Sequence, residues 1–135
     1  MIHVYIATCL ERRDEARRLA SLLRDAGCEI ESRWHEDDTA TRDAERTLTP
    51  ADARALARDN VLGVRSCNFF VCIADARCRG TLVEYAIANE GALDAGRTMV
   101  VVGDSTLLGP MASLGWDYQC DSIADVPHVY AKAAL

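Results

Sequence analysis

The 135-residue chain is short of positive charge: 15 Lys and Arg stand against 21 Asp and Glu, a formal net charge of −6. A surface that tracks a phosphodiester backbone needs a basic face, so no nucleic acid is expected as partner. A small anion is still admissible, because a few arginines and a helix N-terminus hold it locally. No apolar run approaches membrane-spanning length, and the opening "MIHVYIATCL" enters a strand-like segment directly, without a signal-peptide pattern. The six cysteines (Cys9, Cys28, Cys67, Cys72, Cys78 and Cys120) form no C-x-x-C pair and have no nearby histidine doublet, which argues against zinc. They are expected to be reduced, buried small hydrophobes of a cytoplasmic protein. The chain also lacks G-x-G-x-x-G after its first strand, G-x-x-x-x-G-K-[ST] and G-x-S-x-G. Dinucleotide-fingerprint, P-loop and serine-hydrolase chemistry are thereby set aside.

What is present is a core. Half of the residues are hydrophobic, and the length suits one domain. "IHVYIA" (2–7) predicts a strand. Residues 11–26 carry Ala16, Leu19, Ala20, Leu22, Leu23 and Ala26 at helical spacing, with Gly27 as the stop. "CEIESRW" (28–34) alternates weakly and predicts an outer strand, followed by a polar loop over 35–48. Thr49 as N-cap, Pro50 at the first helical position and Asp52 in the first turn predict a helix start. "NFFVCIA" (68–74) and "TMVVVG" (98–103) read as strands buried on both faces. Between them a helix is predicted from Thr81 to Ala95, ending at Gly96. A short helix or turn at 106–113, an edge strand at 115–120 and a helix starting near Asp121 complete the pattern.

Strands alternating with helices predict an α/β fold, a single flavodoxin/Rossmann-like domain. Its sheet has five parallel strands with helices on both faces, and the ligand crevice lies at their C-terminal ends. The residues just after each strand line that crevice: Thr8 and Cys9, Trp34 and His35, Asp75 to Thr81, and Gly103 to Ser105.

One carboxylate, Glu84, is expected in the first turn of the helix that opens there. Two readings fit it. "TLVE" is a Thr-x-x-Glu capping box, in which Thr81 and Glu84 satisfy each other's orphan amides. Alternatively, the helix's positive end keeps Glu84 ionised beside an anion site, and a positioned carboxylate is a competent nucleophile toward an anomeric carbon.

The blocks "VYIATCLERRDEARRLASLLRDAGCEIESRW", "DNVLGVRSCNFFVCIAD", "RGTLVEYA" and "MVVVGD" together resemble the nucleoside 2-deoxyribosyltransferase superfamily, which includes the nucleoside 5′-monophosphate N-glycosidases. The resemblance runs in order over nearly the whole chain. It implies a flavodoxin-like fold and cleavage of an N-glycosidic bond, with Glu84 as nucleophile and Tyr5 as the strand-one tyrosine beside it. It also implies a homodimer or higher homo-oligomer, and no cofactor or metal is needed.

Two departures bear on substrate. The family's aspartate ahead of the third strand falls on Asn60, eight residues before Asn68, with Asp59 adjacent. The transferases' aspartate six residues before the glutamate falls on Cys78, flanked by Arg77 and Arg79. Acids replaced and arginines added favour a phosphate-bearing substrate over free-nucleoside transfer. The family helix is also shorter, with "NEGA" as the extra piece here.

The expected assignment is therefore a nucleoside or, preferably, a nucleoside 5′-monophosphate. Asn60 or Asp59 contacts the base, and Thr8, Arg79, Gly80 and Thr81 contact the phosphate. Trp34 stacks on the base or packs at the rim. Arg12 and Arg13 are phosphate candidates or solvated surface arginines. Met111, in "LLGPMASLG", reaches a neighbour's site or packs in the core. The rival readings are a non-catalytic nucleotide-binding module on the same fold and a nicotinamide-nucleotide hydrolase.

Overall fold

The computed structural model describes residues 1–113 and 115–133. Five parallel strands form one sheet: β1 (His3–Ala7), β2 (Glu29–Ile30), β3 (Phe69–Ile73), β4 (Thr98–Val102) and β5 (Tyr118–Cys120). Their spatial order is β2-β1-β3-β4-β5, as a flavodoxin-like fold requires. Val4 pairs with Phe69 and Tyr5 with Phe70, and Phe69 pairs in turn with Thr98.

Strand periodicity then sorts the core into two layers. Tyr5, Ala7, Phe70, Cys72, Met99 and Val101 face one way, under helices α3 (Pro50–Ser66) and α4 (Gly80–Glu90). Val4, Ile6, Phe69, Val71, Val100 and Val102 face the other, under α1 (Arg13–Asp25) and α6 (Val126–Ala133). All five residues of β3 are buried because both of its faces are covered. All six cysteines are free and buried, as small hydrophobes in that core. Among the described residues no helix is long and apolar enough to cross a membrane, and no group of His, Cys, Asp and Glu could hold a metal ion.

Thr49 caps α3 by accepting from the Asp52 amide, with Pro50 at the helix start, as the sequence predicts. Four expectations are corrected. The outer strand predicted over 28–34 shrinks to Glu29–Ile30, because Trp34–Glu36 winds into a 3-10 turn around the buried His35. The edge strand is only Tyr118–Cys120. The polar stretch 35–48 contains a short helix, α2 (Arg42–Arg46), which Thr41 caps through the Ala44 amide. The helix predicted to Ala95 breaks at Gly91, and one further turn, α5 (Ala92–Ala95), ends at Gly96 in the left-handed conformation (φ 61°).

Near that break a side chain takes one of the helix carbonyls. Arg97 is buried, has no carboxylate partner among the described residues, and spans three main-chain carbonyls with its guanidinium. Nε donates to Cys67 O (2.9 Å), Nη1 to Ala88 O (2.7 Å) and Nη2 to Arg65 O (3.2 Å). These carbonyls lie at the C-terminal ends of α3 and α4, where the helix dipole favours a cation.

Candidate active site

A cavity of about 520 Å³ opens at the C-terminal ends of β1 and β3. One side is built by the β1–α1 turn (Thr8, Cys9, Leu10) and the start of α4 (Arg79, Gly80, Thr81, Glu84). The other carries Trp34, Leu48, Leu56 and Asn60.

Residues 37–48, expected as a plain loop, supply much of the remaining wall, including Arg42 and Glu45. Arginines hold this segment down. Arg13 donates to Asp37 O (2.9 Å) and Ala40 O (2.7 Å), Arg17 pairs with Asp38, and Arg42 makes two bonds to the Glu11 carboxylate (3.0 and 3.1 Å). The sequence carries a signal for this, since the arginine-rich first helix is followed by an acidic segment within 35–48.

Glu84 lies on the cavity wall and accepts a hydrogen bond from the Tyr5 hydroxyl at Oε2; among the described residues Oε1 has no partner. The capping box does not form. The helix starts one residue early, at Gly80 with Arg79 as N-cap, so Thr81 is already inside it and Glu84 lies beyond the N3 position that a box needs. Nor does the helix end keep the carboxylate ionised. Burial pushes its pKa up to about 7, and the Tyr5 hydrogen bond only partly offsets this. Burial and the adjacent Glu84 in turn drive the Tyr5 phenol far above its ordinary value, so it acts as a donor.

The other expected site residues divide. Cys9, Trp34, Asn60, Arg79, Gly80 and Thr81 line the cavity. Asp59 is exposed and does not line it, whereas Asn60 does. Thr8 lines the cavity, but its hydroxyl donates to Ile73 O (2.8 Å), so that proton is unavailable to a phosphate. Trp34 donates its indole N–H to Ile6 O (2.8 Å) and offers only its ring. The Thr81 hydroxyl and the Arg79 guanidinium have no partner among the described residues.

Asp75 is corrected. Its carboxylate turns away to bind Arg77 and Arg12, which hold its pKa well below the usual carboxylate range. That pairing also removes Arg12 as a phosphate ligand, and Arg13 is spent on the carbonyls of residues 37 and 40. Cys78 is buried beside Thr8 and Ile73 O and does not reach the cavity wall. His35 and the residues Gly103 to Ser105 do not line the cavity either. Met111 is 93% exposed, outside both the core and this chain's cavity. Leu114, in the same segment, lies outside the described residues.

No protein-family model matches the chain, and no curated protein does. Among solved structures, the CMP N-glycosidase BcmB of Clostridium botulinum matches with a TM-score of 0.57 and 12% identity, over 96% of this chain and 98% of that one. This chain has the fold of that N-glycosidase. The match covers both chains almost completely, so the fold is shared from β1 to α6.

Beside the cavity, His35 is completely buried under Trp34. Its Nε2 lies 2.9 Å from Ser32 Oγ, which accepts the Ile6 amide (3.1 Å), and its Nδ1 has no partner among the described residues. Burial pushes its pKa down to about 4, helped by Arg24 and Arg17 and opposed by Glu36. Between pH 6.5 and 4 the unfolded chain therefore holds a proton that the folded one does not, and stability falls as pH falls. The stability advantage of wild type over His35→Gln should shrink by about 3 kcal/mol across that window. Urea unfolding at both pH values checks this; a difference that does not change with pH overturns it.

Proposed function

We propose that this protein is a cytoplasmic enzyme that cleaves the N-glycosidic bond of a nucleoside 5′-monophosphate, with Glu84 as nucleophile. The carrying observation is a desolvated carboxylate on the wall of a nucleotide-sized cavity, held at one oxygen by Tyr5 and open at the other. The fold shared with a CMP N-glycosidase supports the reaction class.

In this reading the free Oε1 attacks C1′ as the bond to the base breaks. The bonding pair leaves with the base, and water or another base then resolves the glycosyl-enzyme. Tyr5 holds Oε2 so that the other oxygen faces the sugar. Asn60 offers both a donor and an acceptor to the base edge, and the Trp34 ring with Leu48 and Leu56 gives it an apolar surface. The phosphate sits at the start of α4, against Arg79, the Thr81 hydroxyl and the free amides of Gly80 and Thr81. Because the nucleophile must be ionised, turnover rises with pH through about 7.

The test is incubation with a panel of nucleosides and nucleotides, with free base as the readout. Release of nicotinamide alone would reassign the substrate. Binding without base release would make the protein a nucleotide-binding module, a reading favoured by Asn60 and Cys78 standing where the related transferases carry acids. A homodimer or higher homo-oligomer belongs to the same proposal, since Met111, Leu62 and Val83 are exposed apolar side chains that a second copy covers; sedimentation velocity reads it directly.

Phosphate recognition has its own expected result. A nucleoside monophosphate should bind more tightly than its nucleoside, and Arg79→Ala should remove about 1.5–3 kcal/mol of that preference, the worth of one charge-assisted hydrogen bond. Equal affinity for the two ligands in calorimetry refutes the phosphate site.

A further inference from the structure

Gly63 is an anomaly by local physics. It sits in the last turn of α3, where a glycine is less favourable than alanine, yet it neither caps the helix nor has a positive φ. A Cβ there would lie 3.0 Å from the backbone carbonyl of Glu31, and 3.0 and 3.1 Å from Cε2 and Cδ2 of the Tyr5 ring. Neither neighbour yields easily. Glu31 is fixed by its amide, which donates to Val4 O (2.7 Å), and its side chain pairs with His3 (2.6 Å). The Tyr5 ring is buried and lies parallel to the Phe70 ring on the paired strand, with centroids 6.0 Å apart.

We infer that Gly63 is a positioning residue for the Tyr5–Glu84 pair: its missing side chain is the space that sets where the Tyr5 ring lies, and hence where the hydroxyl meets Glu84. Gly63 itself does not line the cavity. The catalytic consequence rests on the proposed role of Glu84, but the geometric claim does not. The other ionisable groups around the pair are the Cys67 and Cys72 thiols, which burial keeps protonated, and Asp59 on α3.

The test reads the Glu84 carboxyl directly, by carbon NMR titration of the ligand-free protein. Tyr5→Phe removes the donor and should raise the proton affinity of Glu84. Gly63→Ala should raise it in the same direction, by about threefold or more, because a displaced hydroxyl stabilises the carboxylate less. The double variant should match Tyr5→Phe alone, since Gly63 acts only through the tyrosine. If base release is found, Gly63→Ala should lower kcat and leave KM within about twofold. An unchanged Glu84 titration in folded Gly63→Ala overturns the inference, whatever the enzyme assay shows. An absence of base release in wild type with the titration shifted overturns only the catalytic reading. If Gly63→Ala does not fold, Gly63→Ala/Tyr5→Leu must recover a fold that Tyr5→Leu alone retains; failure would assign the glycine to the Glu31 carbonyl and also overturn the inference.

Discussion

Glu84→Gln should abolish base release, by a factor of at least about 10³, and at the same time make the protein more stable at pH 8. Glutamine has the size of glutamate and its amide oxygen accepts the Tyr5 hydrogen bond, but it has no anionic oxygen to attack C1′. The stability effect follows from linkage. The folded carboxyl titrates near 7 against an ordinary value of 4.5, so its stabilising contribution is complete below 4.5 and is lost as pH rises through 7. Above pH 7 the folded state carries a carboxylate that water would have solvated better. Removing that charge should be worth about 2–3 kcal/mol at pH 8 and close to nothing at pH 4. Urea unfolding at the two pH values, beside a base-release assay, checks both halves. Wild-type turnover in the glutamine variant eliminates the nucleophile. A loss of stability at pH 8 would show that the carboxylate is better satisfied than its surroundings suggest.

Arg97→Met should lower the unfolding free energy by about 4 kcal/mol. Methionine retains most of the buried stem but none of the donors, so the carbonyls of Arg65, Cys67 and Ala88 lose a charge-assisted partner together. Arg97→Lys should recover only part of the loss, because a point ammonium cannot reproduce the planar fork. The same guanidinium ties the C-terminal end of the helix bearing Asn60 to that of the helix bearing Glu84. Its loss therefore loosens two walls of the cavity in addition to weakening the core. Chemical denaturation measures the first effect; a loss below about 1 kcal/mol would mean that the carbonyls find other partners.

The parts of this protein legible in its sequence are those whose signal is local. β3 and β4 show as unbroken apolar runs because a strand covered on both faces has no polar side. The α3 start shows as Thr49–Pro50 because a cap is made within three residues. The register of the Glu84 helix shows less well. Thr81 and Glu84 have the spacing of a capping box, but Arg79 is already the N-cap and Gly80 the first helical residue, so the box is lost to a shift of two residues. Burial of Glu84 against Tyr5 joins residues 79 positions apart, and no window along the chain contains both. Periodicity alone does not pair these two residues; only the expected resemblance to the nucleoside 2-deoxyribosyltransferase superfamily implied it.

Arginines are the least legible residues of all, since nothing in their neighbours announces a partner. Arg12 and Arg13 stand at a helix start as phosphate ligands do, yet Asp75 and the carbonyls of residues 37 and 40 claim them. Arg79, one of several arginines near that crevice, keeps an unpartnered guanidinium among the described residues. Sequence alone determined the parallel α/β order, because hydrophobic periodicity and the handedness of the chain are properties of short segments; it placed the crevice after every strand, and the structure puts the cavity beside β1 and β3. Tertiary structure alone decided that Glu84 is desolvated and that Asn60, rather than Asp59, lines the cavity. It also decided that residues 37–48 complete the wall and that Gly63 leaves room for the Tyr5 ring. Burial, charge pairing and close approach are set between segments far apart in the chain, and they exist only once those segments have packed.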